Sequence, residues 1–286
     1  MTDLGAAKLA DDRRWSFERL GVHLVLLVFV ALALGPILLV ILNSMKTTPA
    51  IFGGAFALPT AGTFSLDGYG RVFTRGNFLL NYRNSIIVTV ASVGLTVVFS
   101  TLAAFALVEY RVKLAPLIAG LFVVGVMLPI RLGTIPILEI MLWLHLNDTL
   151  WALILVYTAM SVPLGVTLMM TYFRTVPPEL KEAARVDGAS EWTTFTIVLP
   201  LVRPGLAAVA TVTMLPIWND LWFPLILAPG KANQTVTLGV QQFVGQFMND
   251  YPALLAALTL GAVPLVVLYV VFSRQFIRGL SAGYGK

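Results

Sequence analysis

Two groups of residues in this chain carry chemistry that apolar packing alone does not need. The first lies inside long apolar runs: Arg131 in one, and Trp218-Asn219-Asp220-Leu221-Trp222 in another. A charge in a bilayer core is costly, so Arg131 and Asp220 each need a partner or a water-lined face. Arg131 stands 16 residues into its run and Asp220 stands 14 into its own. At about 1.5 Å of rise per residue, and with both runs crossing in the same direction, their depths differ by about 3 Å, so they can pair. Two uses are open to such a pair: a structural tie between two helices, or a place in a cavity wall where it meets solute hydroxyls or an anionic group. Trp218 and Trp222, four apart, share a helix face and suit either a ring stacked on them or an interfacial aromatic belt. Asn219, able to donate and accept, is the better reader of hydroxyls.

The second group is polar and lies between runs, from Pro177 to Trp192 and on to Pro200. Pro178 suits a first helical position, Glu179 and Glu182 favour the positive end of a short helix, and Asp187-Gly188 supplies a turn. A second helix starts at Ser190 and stops at Pro200. Ala183 and Ala184 let another surface approach the backbone, whereas Val186, Trp192 and Phe195 are costly to leave bare in water. This hairpin is either a docking element for a protein partner or an amphipathic loop packed on its own bundle.

Other chemistry is excluded. With no cysteine and only His23 and His145, neither a thiolate metal site nor a catalytic triad can be assembled, and His145 reads as a polar interfacial residue. No phosphate-binding loop exists, because Gly230-Lys231 is followed by alanine and lacks the upstream glycine. A net charge of +5 would suggest nucleic acid in a soluble protein, but the basic residues sit in short segments between apolar runs.

The elements that must position these groups follow from composition. The chain is 58% hydrophobic and 12% charged over 286 residues, with a mean hydropathy of +0.87, which suits lipid rather than water. Six apolar runs predict an all-α integral membrane protein: Val22 to Leu42, Ser85 to Val108, Ala115 to Leu138, Leu150 to Tyr172, Leu206 to Ala228 and Ala253 to Val271. A cleavable leader ending at Ala31-Leu32-Ala33 is disfavoured, since that triplet lies inside the first run. Thirteen basic residues fall on one side, Lys8, Arg13, Arg14, Arg19, Arg111, Lys113, Arg174, Lys181, Arg185, Arg203, Arg274, Arg278 and Lys286. The other side has five, Lys46, Arg71, Arg75, Arg83 and Lys231, so both termini are expected in the cytoplasm. The expected organisation is a cytoplasmic segment over 1–21, a first span over 22–42, an irregular extracytoplasmic loop over 43–84, and a five-helix core over 85–273. That core holds the hairpin at about 174–204, and a cytoplasmic tail follows over 274–286. Prolines inside the runs, such as Pro129, Pro163, Pro216 and Pro224, predict kinks.

On these residues the chain resembles a known family. Glu182-Ala183-Ala184, three residues, Gly188, then Ile197-Val198-Leu199-Pro200 resembles the EAA loop of ABC importer permeases. Asn43-Ser44-Met45-Lys46, Asn84-Ser85, Ala103-Ala104-Phe105-Ala106-Leu107, Trp218-Asn219-Asp220 and Arg274-Gln275-Phe276-Ile277-Arg278-Gly279-Leu280 are similar to the shorter permease of the maltose-type carbohydrate importers. The resemblance implies a type I importer permease fold with six transmembrane helices in a bacterial inner membrane. It implies that Glu179, Glu182, Ala183, Ala184, Asp187 and Gly188 couple to an ATP-hydrolysing dimer, which binds ATP and Mg, while this chain binds no cofactor and is not an enzyme. A second permease completing a heterodimer and an extracytoplasmic solute-binding protein are the other implied partners, with no nucleic acid. The path through the membrane would take Arg131, Trp218, Asn219, Asp220 and Trp222. Arg131 departs from the neutral residue expected there. A secondary transporter would instead require inverted repeats and ion-coordinating carboxylates, and a channel subunit a short oligomerising unit with a filter; neither is visible.

Overall fold

The computed structural model describes residues 3–110, 113–245 and 249–281, with side chains described for 21–110, 113–245 and 249–267. Its regular structure is helical, with an isolated antiparallel bridge between Lys46 and Phe64. The helices are α1 (Asp3–Ser44), α2 (Thr48–Gly53), α3 (Asp67–Arg75), α4 (Phe78–Glu109), α5 (Ala115–Met127), α6 (Thr134–Trp143), α7 (Leu150–Phe173), α8 (Pro178–Val186), α9 (Glu191–Val198), α10 (Arg203–Asn219), α11 (Trp222–Leu227), α12 (Val236–Val240) and α13 (Tyr251–Ser281). The chain forms two compact units, Met1–Thr74 with Phe243–Leu260, and Arg75–Gln242 with Gly261–Lys286.

In the first unit, the loop expected to be irregular is ordered around a buried cation. Lys46 is fully buried and donates to Asn43 Oδ1 (3.0 Å) and to the carbonyls of Gly54 (3.0 Å) and Ala55 (3.3 Å). Asn43 donates to Leu39 and Ala55 carbonyls, so Asn43-Ser44-Met45-Lys46 is a clamp that folds the chain back after α1. Arg71 holds Asp250 with two bonds, of 2.6 and 2.9 Å. The apolar stretch of α1 is exposed all round from Val22 to Leu34, as a helix surrounded by lipid requires.

The second unit is built on α4, which packs against α7, α10 and α12. Its buried stripe is small and hydroxylated, Ser85, Thr89, Ser92, Thr96 and Ser100, while Ile86, Val90, Val98 and Phe99 face outward. Small residues let helices approach where lipid removes the hydrophobic drive for association. Three hydroxyls on this stripe find backbone acceptors: Thr96 bonds the Ser92 carbonyl, Ser100 the Thr96 carbonyl, and Ser92 reaches the Ile154 carbonyl on α7.

Three helices are long and apolar enough to cross a membrane, Gly21–Ser44, Phe78–Glu109 and Leu150–Phe173, and up to five if each bent pair is one span. Two expected spans are not single helices. The run from Ala115 to Leu138 bends by 87° between α5 and the segment Ile130–Trp143, and α9 meets α10 at 76°. The run from Leu206 to Ala228 is interrupted after Asn219, where Asp220 takes an extended conformation. The similarity at Arg274 to Leu280 falls on helix α13, outside the residues whose side chains are described, as do the basic residues at both ends.

Candidate functional site

Both charges that lie within apolar runs sit where helices break. Leu128 adopts an extended conformation before Pro129, which ends α5, and Arg131 follows in a 3₁₀ turn (Ile130–Gly133). Asp220 occupies the break between α10 and α11. There its Oδ2 accepts from the Tyr157 hydroxyl (2.8 Å) and the Phe223 amide (3.0 Å), and its carbonyl accepts from Thr237 Oγ1 (2.6 Å). Arg131 Nη2 stands 3.9 Å from Asp220 Oδ1, with side chains 70% and 12% exposed respectively. The expected pairing is therefore present but uneven. Asp220 is satisfied by α7 and α11, and Arg131 leaves most of its donors free. The straight-helix depth estimate does not apply to broken spans; breaks in both bring the charges together.

The guanidinium of Arg131 lies 5.8 Å from the centre of the Trp222 ring, a cation–π contact, and Trp222 Nε1 donates to Thr134 Oγ1 (3.0 Å). Arg131, Tyr157, Ser161, Asn219 and Asp220 line a cavity of about 340 Å³ together with apolar residues that include Ile217 and Phe223. Asn219 is exposed, and its amide nitrogen donates to the Leu215 carbonyl (3.0 Å). Trp218 and Trp222 do not share a face, because the helix ends between them. Trp218 is buried, donates to the Gly261 carbonyl (3.1 Å) and packs edge-on against Tyr82, so it supports the wall rather than lining it. Tyr157 and Ser161, one turn apart on α7, were not foreseen: a tyrosine and a serine in an apolar run carry no pattern of their own.

The hairpin forms as its residues dictate. Pro178 opens α8, Ser190 Oγ caps α9 by accepting from Thr193 N (3.1 Å), and Gly188 turns the chain at a φ of +82°. Glu179, Glu182, Ala183, Val186 and Asp187 are exposed, and at helical spacing the first four form one outward face. Val186 is 86% exposed and Trp192 is 66% exposed. Phe195, one of the side chains costly to leave bare, is buried against Phe105, whose ring also packs on Phe173, and Ala184 packs inward. Packing therefore uses one face of the hairpin and leaves the opposite face exposed.

The inward face carries a charge cluster that the pattern of residues did not announce. Glu109, closing α4, accepts from Lys181 Nζ and from Arg185 Nη2, both at 2.6 Å. Arg185 also holds Glu191 at 3.1 and 3.2 Å. These bonds lower the Glu191 carboxyl below its ordinary pKa, and bonds from Glu191 and Glu109 raise that of Arg185. The signal available was a lone acid ending an apolar run. Among the described residues no group of His, Asp and Glu is arranged to hold a metal, and His145 ends α6 with a φ of 56°.

Residues 97–281 match the family described as binding-protein-dependent transport system inner membrane component. The putative ABC transporter permease protein ORF2 of Caldicellulosiruptor sp. is 31% identical over 97% of this chain and 98% of the relative. The diacetylchitobiose uptake system permease protein NgcG of Streptomyces coelicolor is 30% identical, with 98% and 92% covered. The sulfoquinovosyl glycerol transport system permease protein SmoH of Agrobacterium fabrum is 31% identical, with 87% of each covered. In fold, a chain of a bacterial ABC transporter involved in the import of the acidic polysaccharide alginate superposes with a TM-score of 0.79 at 22% identity, covering 92% of this chain and 97% of that one. That likeness is one of fold, an ABC importer permease architecture.

Proposed function

Because the chain belongs to the binding-protein-dependent transport system inner membrane component family, we propose that it is a permease subunit of an ATP-driven importer for a carbohydrate or carbohydrate derivative. In this reading it crosses the bacterial inner membrane six times with both termini in the cytoplasm. It forms the translocation path with a second permease and receives its solute from an extracytoplasmic binding protein. ATP hydrolysis belongs to a partner dimer.

The observation that carries the reading is the two-faced hairpin. Its inward face is tied to the bundle through Glu109 and Phe105, so the outward face of Glu179, Glu182, Ala183 and Val186 serves a partner. Ala183 is exposed, so Ala183→Arg meets nothing within this chain. The expected outcome is unchanged membrane insertion with loss of the co-purifying ATP-binding subunit and of ATP-dependent uptake. Retention of both would remove the docking assignment.

The cavity of Arg131, Asn219, Asp220 and Tyr157 is the proposed contact with solute. Arg131 offers free donors beside an aromatic ring, which suits sugar hydroxyls and also holds a carboxylate or sulfonate bidentately.

A further inference from the structure

α4 is the uninterrupted rod of the second unit. It runs for 32 residues with no proline, about 48 Å at 1.5 Å per residue, whereas α7 and α10 contain prolines and α5–α6 is broken. One end meets the hairpin. There both carboxylate oxygens of Glu109 are taken by bases of α8, and Arg185 extends the link to Glu191 on α9. One turn back along α4, the Phe105 ring packs 5.2 Å from Phe195. The other end holds the chain that leads to the cavity. Asn84 Nδ2 donates to the carbonyls of Ala232 (2.8 Å) and Gln234 (3.1 Å), Ser85 Oγ accepts from Val236 N (2.8 Å), and Thr237 then bonds the backbone of Asp220.

We propose that Glu109 is the positioning residue that fixes the hairpin to α4, so that α4 carries the hairpin's displacement to the wall of the Asp220 cavity. This rests on the reading of the hairpin as the ATPase-docking element. Ion pairs in open water hold little, but the Glu109 and Lys181 side chains are only 6% and 11% exposed. Without Glu109, Lys181 and Arg185 face each other with no shared anion, and the hairpin keeps its own fold while losing its charged hold on the rod.

The test uses the assembled transporter in vesicles and reads solute moved per ATP hydrolysed, a ratio that a purely structural defect in yield does not change. Glu109→Gln is expected to assemble and hydrolyse ATP while the ratio falls roughly tenfold, the scale of effects along coupling networks. A second variant, with Glu109→Cys and Lys181→Cys in this cysteine-free chain, should be equally uncoupled and should regain coupling when a short bifunctional reagent joins the two sulfurs. An unchanged ratio in Glu109→Gln, or arrest of transport by the tether, would overturn the proposal, the latter because the hairpin would then have to move against α4. Ala183→Arg separates the two readings: if it keeps the ATPase bound and transport normal, the docking reading fails and this proposal with it. If it releases the ATPase while Glu109→Gln stays coupled, the role of Glu109 alone fails.

Discussion

Asp220 and Arg131 face each other, yet substituting them has different consequences. Asp220→Ala strips the acceptor from the Tyr157 hydroxyl and the Phe223 amide, both part-buried, at about 1–3 kcal/mol for each polar group left unpaired. Arg131→Gln removes an exposed partner at 3.9 Å and should change stability by no more than about 1 kcal/mol. Asp220→Ala is therefore expected to lower complex yield and melting temperature, and Arg131→Gln to leave both intact while raising the KM for solute in vesicle uptake. Equal loss of yield in the two variants would restore the simpler expectation of a mutually dependent ion pair, in which Arg131→Gln with Asp220→Asn recovers what either loses. The cost of a charge within each apolar run pointed to a pairing, although the straight-helix depth estimate behind it does not hold for broken spans. It did not reveal that Tyr157 and a backbone amide already satisfy the acid, because those donors come from other elements.

Helix contacts in this bundle depend on how closely backbones approach. At Gly165 on α7 an added Cβ would stand 2.8 Å from both Ser100 Cβ and Oγ on α4 and 3.3 Å from Val209 on α10. Gly165→Leu forces the three helices apart and should cost about 1–3 kcal/mol or more as overpacking, read as lost yield and a lower melting temperature of the solubilised complex. A variant that assembled and melted normally would mean that α4, α7 and α10 do not pack this closely in the membrane. At this scale the hairpin was legible, since Pro178, Gly188 and Ser190 act on their own backbone. The breaks were less so: Pro163, Pro216 and Pro264 lie inside continuous helices, whereas Pro129 follows an extended Leu128 and ends α5. Nothing local in the runs separates those cases, because neighbouring helices decide whether a proline kinks a helix or ends it. In the loop after α1 the short helices α2 and α3 and the hold of Lys46 on carbonyls further along the chain were not legible, because those acceptors are backbone groups that carry no residue signal.

For the whole molecule, the distribution of polarity decides the environment. Serine and threonine line the buried stripe of α4 while isoleucine, valine and phenylalanine face outward, and α1 shows apolar side chains on every side. Water would penalise that arrangement by about 25 cal/mol for each Å² of apolar surface left bare, so lipid must cover it. Which way the chain runs through that lipid depends on the basic residues, thirteen on one side of the apolar runs and five on the other. The bias predicts that Ala61 and Thr196, both exposed and separated along the chain by the second, third and fourth runs, lie outside and inside the cell. Since the chain has no cysteine, Ala61→Cys and Thr196→Cys each create a single reactive site. A membrane-impermeant maleimide applied to spheroplasts should label the first, and should reach the second only after the membrane is opened. Labelling of both in sealed spheroplasts would place an even number of crossings between residues 61 and 196 and remove the six-span topology. Labelling of Thr196→Cys alone would keep the crossings and invert the orientation, which would put the hairpin where no cytoplasmic ATPase can reach it.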